Sequence, residues 1–230
     1  MPRTARIIIP DAFYHILNRG NNKEVIFIDD VDFIFFLQQV KKYKEKFGVK
    51  IYHYCIMPNH YHFLVKSQIS NDLIKFVHAI MFIYAQHMQR KYNKIGHIWQ
   101  GRYKSSLIEK EDYLLRCGYY IEDNSRRAKL VKELKDWPWS SYHFYAYGKP
   151  NPIIDIDEDY LNLGKIPEER QLNYQARMGQ LHTYGEEEIL FIRQKLDWGI
   201  LGSEEFSGKM AEEFKLKLIG VKKRGRPFKK

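Results

Sequence analysis

The chain has 230 residues, 44% hydrophobic and 29% charged, enough to bury one good core with material left for a small second region or a tail. A net charge of +10 points to a polyanionic partner, and two cysteines without a C-x-x-C pair exclude a zinc ribbon and a disulfide scaffold and fit a reducing cytosol. No apolar stretch is long enough to span a bilayer, and Ile7-Ile8-Ile9, ended by Pro10, is too short for a signal peptide, so no membrane partner is expected.

In chain order, Phe13 to Leu17 reads as a first strand, followed by a turn at Asn18-Arg19-Gly20-Asn21-Asn22. Arg19 and Asn21 suit contact with phosphate and equally suit a solvated turn. Asp29-Asp30 opens a helix whose apolar face is Phe33, Phe36, Leu37, Val40 and Tyr43, with Gly48 as its C-cap. Val49 to Ile56 is a second strand, Pro58-Asn59 turns it, and His60 to Lys66 returns antiparallel as a third. Residues two apart on a strand share a face, so His60 and His62 present two imidazoles together while Tyr61 and Phe63 point into an apolar layer. Such a pair fits a metal site on a rigid element or a half-exposed strand; a third ligand and a reacting group elsewhere decide between them.

Asn71-Asp72 starts a second helix with Leu73, Phe76, Val77, Ile80, Tyr84 and Met88 as its buried stripe. The stretch His97 to Ser106 mixes aromatic, basic and amide side chains, as a nucleic-acid groove requires, with Gln100, Arg102 and Lys104 as polar contacts, and equally reads as a strand with an amphipathic edge; Tyr103 to Ile108 is a fourth strand in either case. A third helix runs from Tyr113 to about Asp123, with Leu114, Cys117 and Ile121 at core spacing. Arg116, Tyr120, Asn124 and Arg127 form a second stripe on it, an unusual set for a purely structural helix. From Lys129 the chain reads as charged and helical up to Trp137.

Gly148-Lys149-Pro150-Asn151-Pro152 reads as a boundary. It divides a domain of residues 1–149 from a small helical region, 150–221, with helices over Glu186 to Leu196 and Ser203 to Leu216 and a turn at Trp198 to Ser203. Residues 222–230 read as a basic tail in which Arg224-Gly225-Arg226-Pro227 resembles an AT-hook core, which would lay Arg224 and Arg226 into a minor groove; a plain polycationic tail that attracts phosphate non-specifically fits equally. The order β-α-β-β-α-β predicts an α+β fold: a ferredoxin-like, split βαβ antiparallel sheet with helices on one face, plus the helical appendage and tail.

Several ordered motifs together resemble the REP-associated tyrosine transposases, a branch of the single-tyrosine transposases in the HUH superfamily. They are Phe13-Tyr14-His15-Ile16 with Asn18-Arg19-Gly20-Asn21, Met57 to Leu64, Gly96-His97 with Gln100 to Lys104, Tyr120 to Asn124 with Arg127-Ala128, and Trp139-Ser140-Ser141-Tyr142. The resemblance implies that His60, His62 and Asn124 hold Mg²⁺ or Mn²⁺. It implies that Tyr120 attacks single-stranded or hairpin DNA to form a 5′-phosphotyrosine, which a second 3′-OH reverses. Arg116 and Arg127 would neutralise phosphate near the nucleophile or serve in salt bridges. The family implies a monomer or homodimer in the bacterial cytoplasm, on the nucleoid. Where the family has Asn-Pro this chain has Asn124-Ser125, which allows the helix to run on. Two other readings stay open: a descendant that binds DNA structures without cutting, and a replication initiator or relaxase with the same order of motifs.

Overall fold

The computed structural model describes residues 8–110, 112–183 and 186–214. Arg224 and Arg226 lie outside them. The first half runs β1 (Ala12–Arg19), α1 (Asp30–Phe47), β2 (Val49–Met57), β3 (His60–Ser67), α2 (Ser70–Tyr92) and β4 (Lys104–Ile108). Then come α3 (Asp112–Arg127), α4 (Tyr142–Tyr147), α5 (Glu158–Leu161), α6 (Pro167–Thr183), α7 (Glu186–Trp198), β5 (Ile200–Leu201) and α8 (Glu204–Glu213). The sheet order is β2-β3-β1-β4-β5. The first four strands are antiparallel neighbours in the split βαβ arrangement, and β5 lies parallel to β4.

Local chemistry sets the helix limits. The Asp29 side chain accepts from Asp32 N–H while the Asp32 carboxylate reaches back, a reciprocal cap that starts α1. Gly48 ends it in the left-handed region at φ 61°, open to glycine without strain. The expected stripe of α2 is its buried set, from Leu73 to Met88. The helix expected from Lys129 to Trp137 is absent: Lys129 takes φ 59°, which stops α3, and a single turn at Leu134–Asp136 is the helical content there.

Alternation along β3 divides two cores. Tyr61, Phe63 and Val65 join Phe36, Phe76, Ile80 and Tyr84 under α1 and α2. Leu64, Phe13 and Ile108 face the other way, against Leu114, Cys117 and Ile121 of α3 and Ile192 and Leu196 of α7. The expected helical face is thus α1 and α2, and the second face is covered as well. A third cluster, rich in tyrosine, joins α3 to α4, α5 and α6 through Tyr119, Tyr145, Tyr160 and Tyr174.

The stretch after Pro150 is tied into these layers. The Tyr174 hydroxyl donates to Glu122 Oε2 at 2.7 Å, Ser106 Oγ donates to the Leu196 carbonyl at 2.7 Å, and the Lys44 ammonium reaches the Ile153 carbonyl at 2.8 Å. The turn expected at Trp198 to Ser203 contains β5, a strand of two residues and too short to show alternation. Both sheet borders are occupied. Leu107 N–H bonds Gly199 O and Glu109 N–H bonds Leu201 O beside β4. Along β2, Ile51, Tyr54 and Ile56 pair with Asp155, Ser141 and Trp139. Among the described residues no helix is long and apolar enough to cross a membrane.

Candidate active site

The register of β1, β3 and β4 gathers polar side chains on the second face. Arg19 lies opposite His60, Leu17 opposite both His62 and Lys104, and His15 opposite Ser106. Strand partners share a face, so His15, His60, His62, Lys104 and Ser106 all face the α3 side. Tyr120 enters from α3 above them. Its ring centroid lies 6.3 Å from that of His15 and 6.4 Å from that of His62, edge-on to both.

These residues floor a cleft of about 690 Å³. Nine of the expected residues line it: Tyr120, His60, His62, Asn124, Arg19, Gln100, Arg102, Lys104 and Arg127. Arg19 Nε donates to Gln100 Oε1 at 3.0 Å, which braces one rim. Trp99 and Tyr103 of the same stretch are buried in the α1/α2 core instead, Trp99 Nε1 donating to the Met81 carbonyl at 2.8 Å. Two expected residues stand elsewhere. Asn21 is in an exposed turn whose backbone N–H bonds Ile98 O. Arg116 sits one helical turn before Tyr120, where α7 packs; its Nε donates to Glu188 Oε1 at 2.7 Å and its guanidinium covers the Tyr113 and Phe191 rings. The salt-bridge alternative for Arg116 is the one the structure contains.

Burial sets the protonation of the imidazoles. It pushes His60 down to about 4, with Arg19 adding to the effect, and His15 down to about 3, with Lys104 adding. His62 is held well below the ordinary histidine value by burial, then by His15, His60 and Arg127. All three rings are therefore neutral near pH 7 and carry a lone pair. Burial raises the Tyr120 phenol, and the Arg127 guanidinium, 5.3 Å from the ring centroid, and Arg193 oppose it.

Because Ser125 keeps its N–H, α3 continues to Arg127 and carries that guanidinium over Tyr120. Asn124 Nδ2 donates to the Tyr120 and Ile121 carbonyls at 2.8 and 3.2 Å, which leaves its oxygen for whatever it meets in the cleft. Among the described residues no group of three or more histidine, cysteine, aspartate or glutamate side chains is placed to hold a metal ion. The donors present are two neutral imidazoles and an amide oxygen, a set that fits a divalent cation keeping open positions for water and phosphate oxygens.

Sequence reasoning gave no role to His15, Ser106, Arg193 or Asp197, which also line the cleft. His15 alternates with Leu17, but only the pairing of β1 with β3 brings it to His62. Arg193 and Asp197 come from α7, beyond the expected boundary, and Asp197 pairs with Lys104 at 3.2 Å.

Residues 9–124 match the family model described as IS200-like transposase. A stretch of 102 residues is 29% identical to a protein of Haemophilus influenzae described as a REP-associated tyrosine transposase, covering 39% of this chain and 56% of that protein. The chain thus spans little more than half the length of this relative. A solved structure of a REP-associated tyrosine transposase bound to a REP hairpin superposes with a TM-score of 0.55 at 19% identity, covering 68% of this chain and 93% of the other, a likeness of fold.

Proposed function

This chain belongs to the IS200-like transposase family, and from that premise we propose that it is a metal-dependent transposase that nicks and rejoins single-stranded DNA through a 5′-phosphotyrosine. The observation that carries the reading is Tyr120 set edge-on to His62 at 6.4 Å, with Asn124 one turn later on the same helix and both in one cleft. Arg19, Arg102, Lys104, Arg127 and Arg193 line the same cleft, a cationic setting suited to a phosphodiester backbone.

Tyr120 Oη attacks the scissile phosphorus and gives up its proton; the Oη–P bond forms and the P–O3′ bond breaks, the leaving oxygen taking a proton to become a 3′-OH. A second 3′-OH reverses the step, so strands join without an external energy source. Arg127 lies where it offsets the cost of ionising a buried phenol and meets phosphate charge. His60, His62 and Asn124 would hold the metal, Mg²⁺ or Mn²⁺, which when bound polarises the phosphate oxygens as a Lewis acid. The solved relative holds a REP hairpin, and the substrate proposed for this chain is likewise hairpin DNA from a short palindrome.

The test uses full-length protein with labelled single-stranded oligonucleotides carrying a hairpin, in Mg²⁺ or Mn²⁺. A covalent protein–DNA band on a denaturing gel is expected from the wild type and not from Tyr120→Phe. The His60→Ala/His62→Ala double variant is expected to lose cleavage and keep much of its DNA affinity. Equal adduct from Tyr120→Phe would overturn the nucleophile assignment. Tight binding without nicking of any hairpin would favour a non-cutting descendant.

A further inference from the structure

His60 and His62 are each contacted at Nδ1. Asn59, in the turn between β2 and β3, donates its Nδ2 to the Lys23 carbonyl at 3.1 Å. That anchor leaves Oδ1 as the end of the amide beside His60, and His60 Nδ1 lies 2.5 Å from it. An amide oxygen only accepts, so His60 carries its proton on Nδ1 and its lone pair on Nε2. His62 Nδ1 lies 2.8 Å from His15 Nε2, the rings stacked at 18°. One nitrogen of that pair donates and the other accepts. If His62 donates, its Nε2 keeps a lone pair; if His15 donates, His62 Nε2 holds the proton and cannot bind a cation.

We propose that Asn59 and His15 are positioning residues that accept Nδ1–H from His60 and His62, so that both Nε2 lone pairs are presented together to a divalent cation. The cation rests on the function proposed above; the His60 tautomer rests on its contact with Asn59, and the His62 tautomer on the choice of His62 as donor to His15, the arrangement that leaves its Nε2 open to a cation. His15 suits the task because a ring with a bare Nε2 is an acceptor, and its 4% exposure keeps water from replacing it.

The first measurement is on metal-free, full-length, ¹⁵N-labelled wild type, by long-range ¹H–¹⁵N correlation within the histidine rings. Protonated Nδ1 and bare Nε2 are expected for both His60 and His62; a proton on Nε2 of either ring overturns the proposal for its partner. The second is Mn²⁺ binding followed by the paramagnetic signal of the free ion. Asn59→Ala and His15→Phe are expected to weaken it roughly 10–100-fold, while Asn59→Asp and His15→Gln, which keep an acceptor oxygen, recover most of the loss. Unchanged Mn²⁺ affinity in both Asn59→Ala and His15→Phe would overturn the positioning role. A wild type that shows both tautomers but binds neither Mn²⁺ nor Mg²⁺ sinks the metal reading and leaves the tautomer assignment standing.

Discussion

At the scale of single residues, one tightly constrained position in α3 carries no functional group. In a solvated helix, replacing glycine by alanine gains about 1 kcal/mol. At Gly118 a Cβ would stand 2.6 Å from Cε1 and Nε2 of His53. That ring has nowhere to go: it is fully buried, its Nδ1 is 3.0 Å from Glu122 Oε1, and it stacks on Tyr145 at 4.4 Å. Gly118→Ala is therefore expected to destabilise the protein by about 1–3 kcal/mol, seen as a lower urea midpoint, and to reduce adduct formation by shifting Tyr120. A variant as stable as the wild type would show that His53 yields. That His60 and His62 share a face, and that Tyr120 and Asn124 share a helical stripe, was legible in the sequence because strand alternation and helical spacing are local patterns; their roles were implied by the resemblance to a family. The place of His15 was not legible, because its meeting with His62 crosses 47 positions and depends on which strand lies beside which. Arg116 shared the right helical stripe and still went elsewhere, because α7 meets α3 at its height.

At the scale of elements, the start of α1 is fastened to the end of α2 through one carboxylate. Asp32 accepts from the Ile28 backbone N–H at 2.9 Å, from His87 and the Tyr92 hydroxyl at 2.8 Å each, and from Lys91 at 2.9 Å. Burial alone would raise its pKa; the Lys91, His87, Ile28 and Tyr92 donors together outweigh that and hold it at about 2. A carboxyl whose folded pKa is depressed contributes fully above its ordinary value of 3.8, and the contribution is lost as pH falls towards 2. Denaturant midpoints measured across this range should drop for the wild type. Asp32→Ala should start lower at pH 7 by about 3–5 kcal/mol and show a flatter acid limb. An unchanged limb would mean that another carboxylate governs it. The acids at Asp29 and Asp30 marked a helix start in the sequence; that Asp32 would complete the cap, and that Lys91 and Tyr92, some 60 residues on, would close over Asp29 and Asp32, was not written locally.

At the scale of the whole molecule, the ferredoxin-like order was legible because each of its strands and helices has its own period. The integration of the region after Pro150 was not: a glycine- and proline-rich join looks the same whether the region beyond it stands apart or packs down. In the fold, Tyr174 serves Glu122, Ile153 and Asp155 serve Lys44, and Arg193 and Asp197 wall the cleft. Truncation to residues 1–149 would leave the Glu122 carboxylate and the Lys44 ammonium without these partners and uncover Leu114, Cys117 and Ile121. The truncated chain is expected to be insoluble, or to melt well below the full chain by circular dichroism. An equal melting temperature would establish residues 150 onward as separable.

The occupied borders of the sheet bear on how copies of the chain can meet. On one side β5 takes the hydrogen-bonding groups of β4 from Leu107 on. On the other, Asp155, the Tyr145 hydroxyl, Ser141, Trp139 and the Trp137 indole take those of β2 between Ile51 and Ile56. An incoming strand, whether from a second copy or from a half-folded neighbour, finds no long open row of donors and acceptors to extend. Among the described residues, the open part of either border is short, which disfavours joining of sheets edge to edge and strand-templated aggregation. Among the described residues, the broad surfaces left for self-association are side chains on helices and loops.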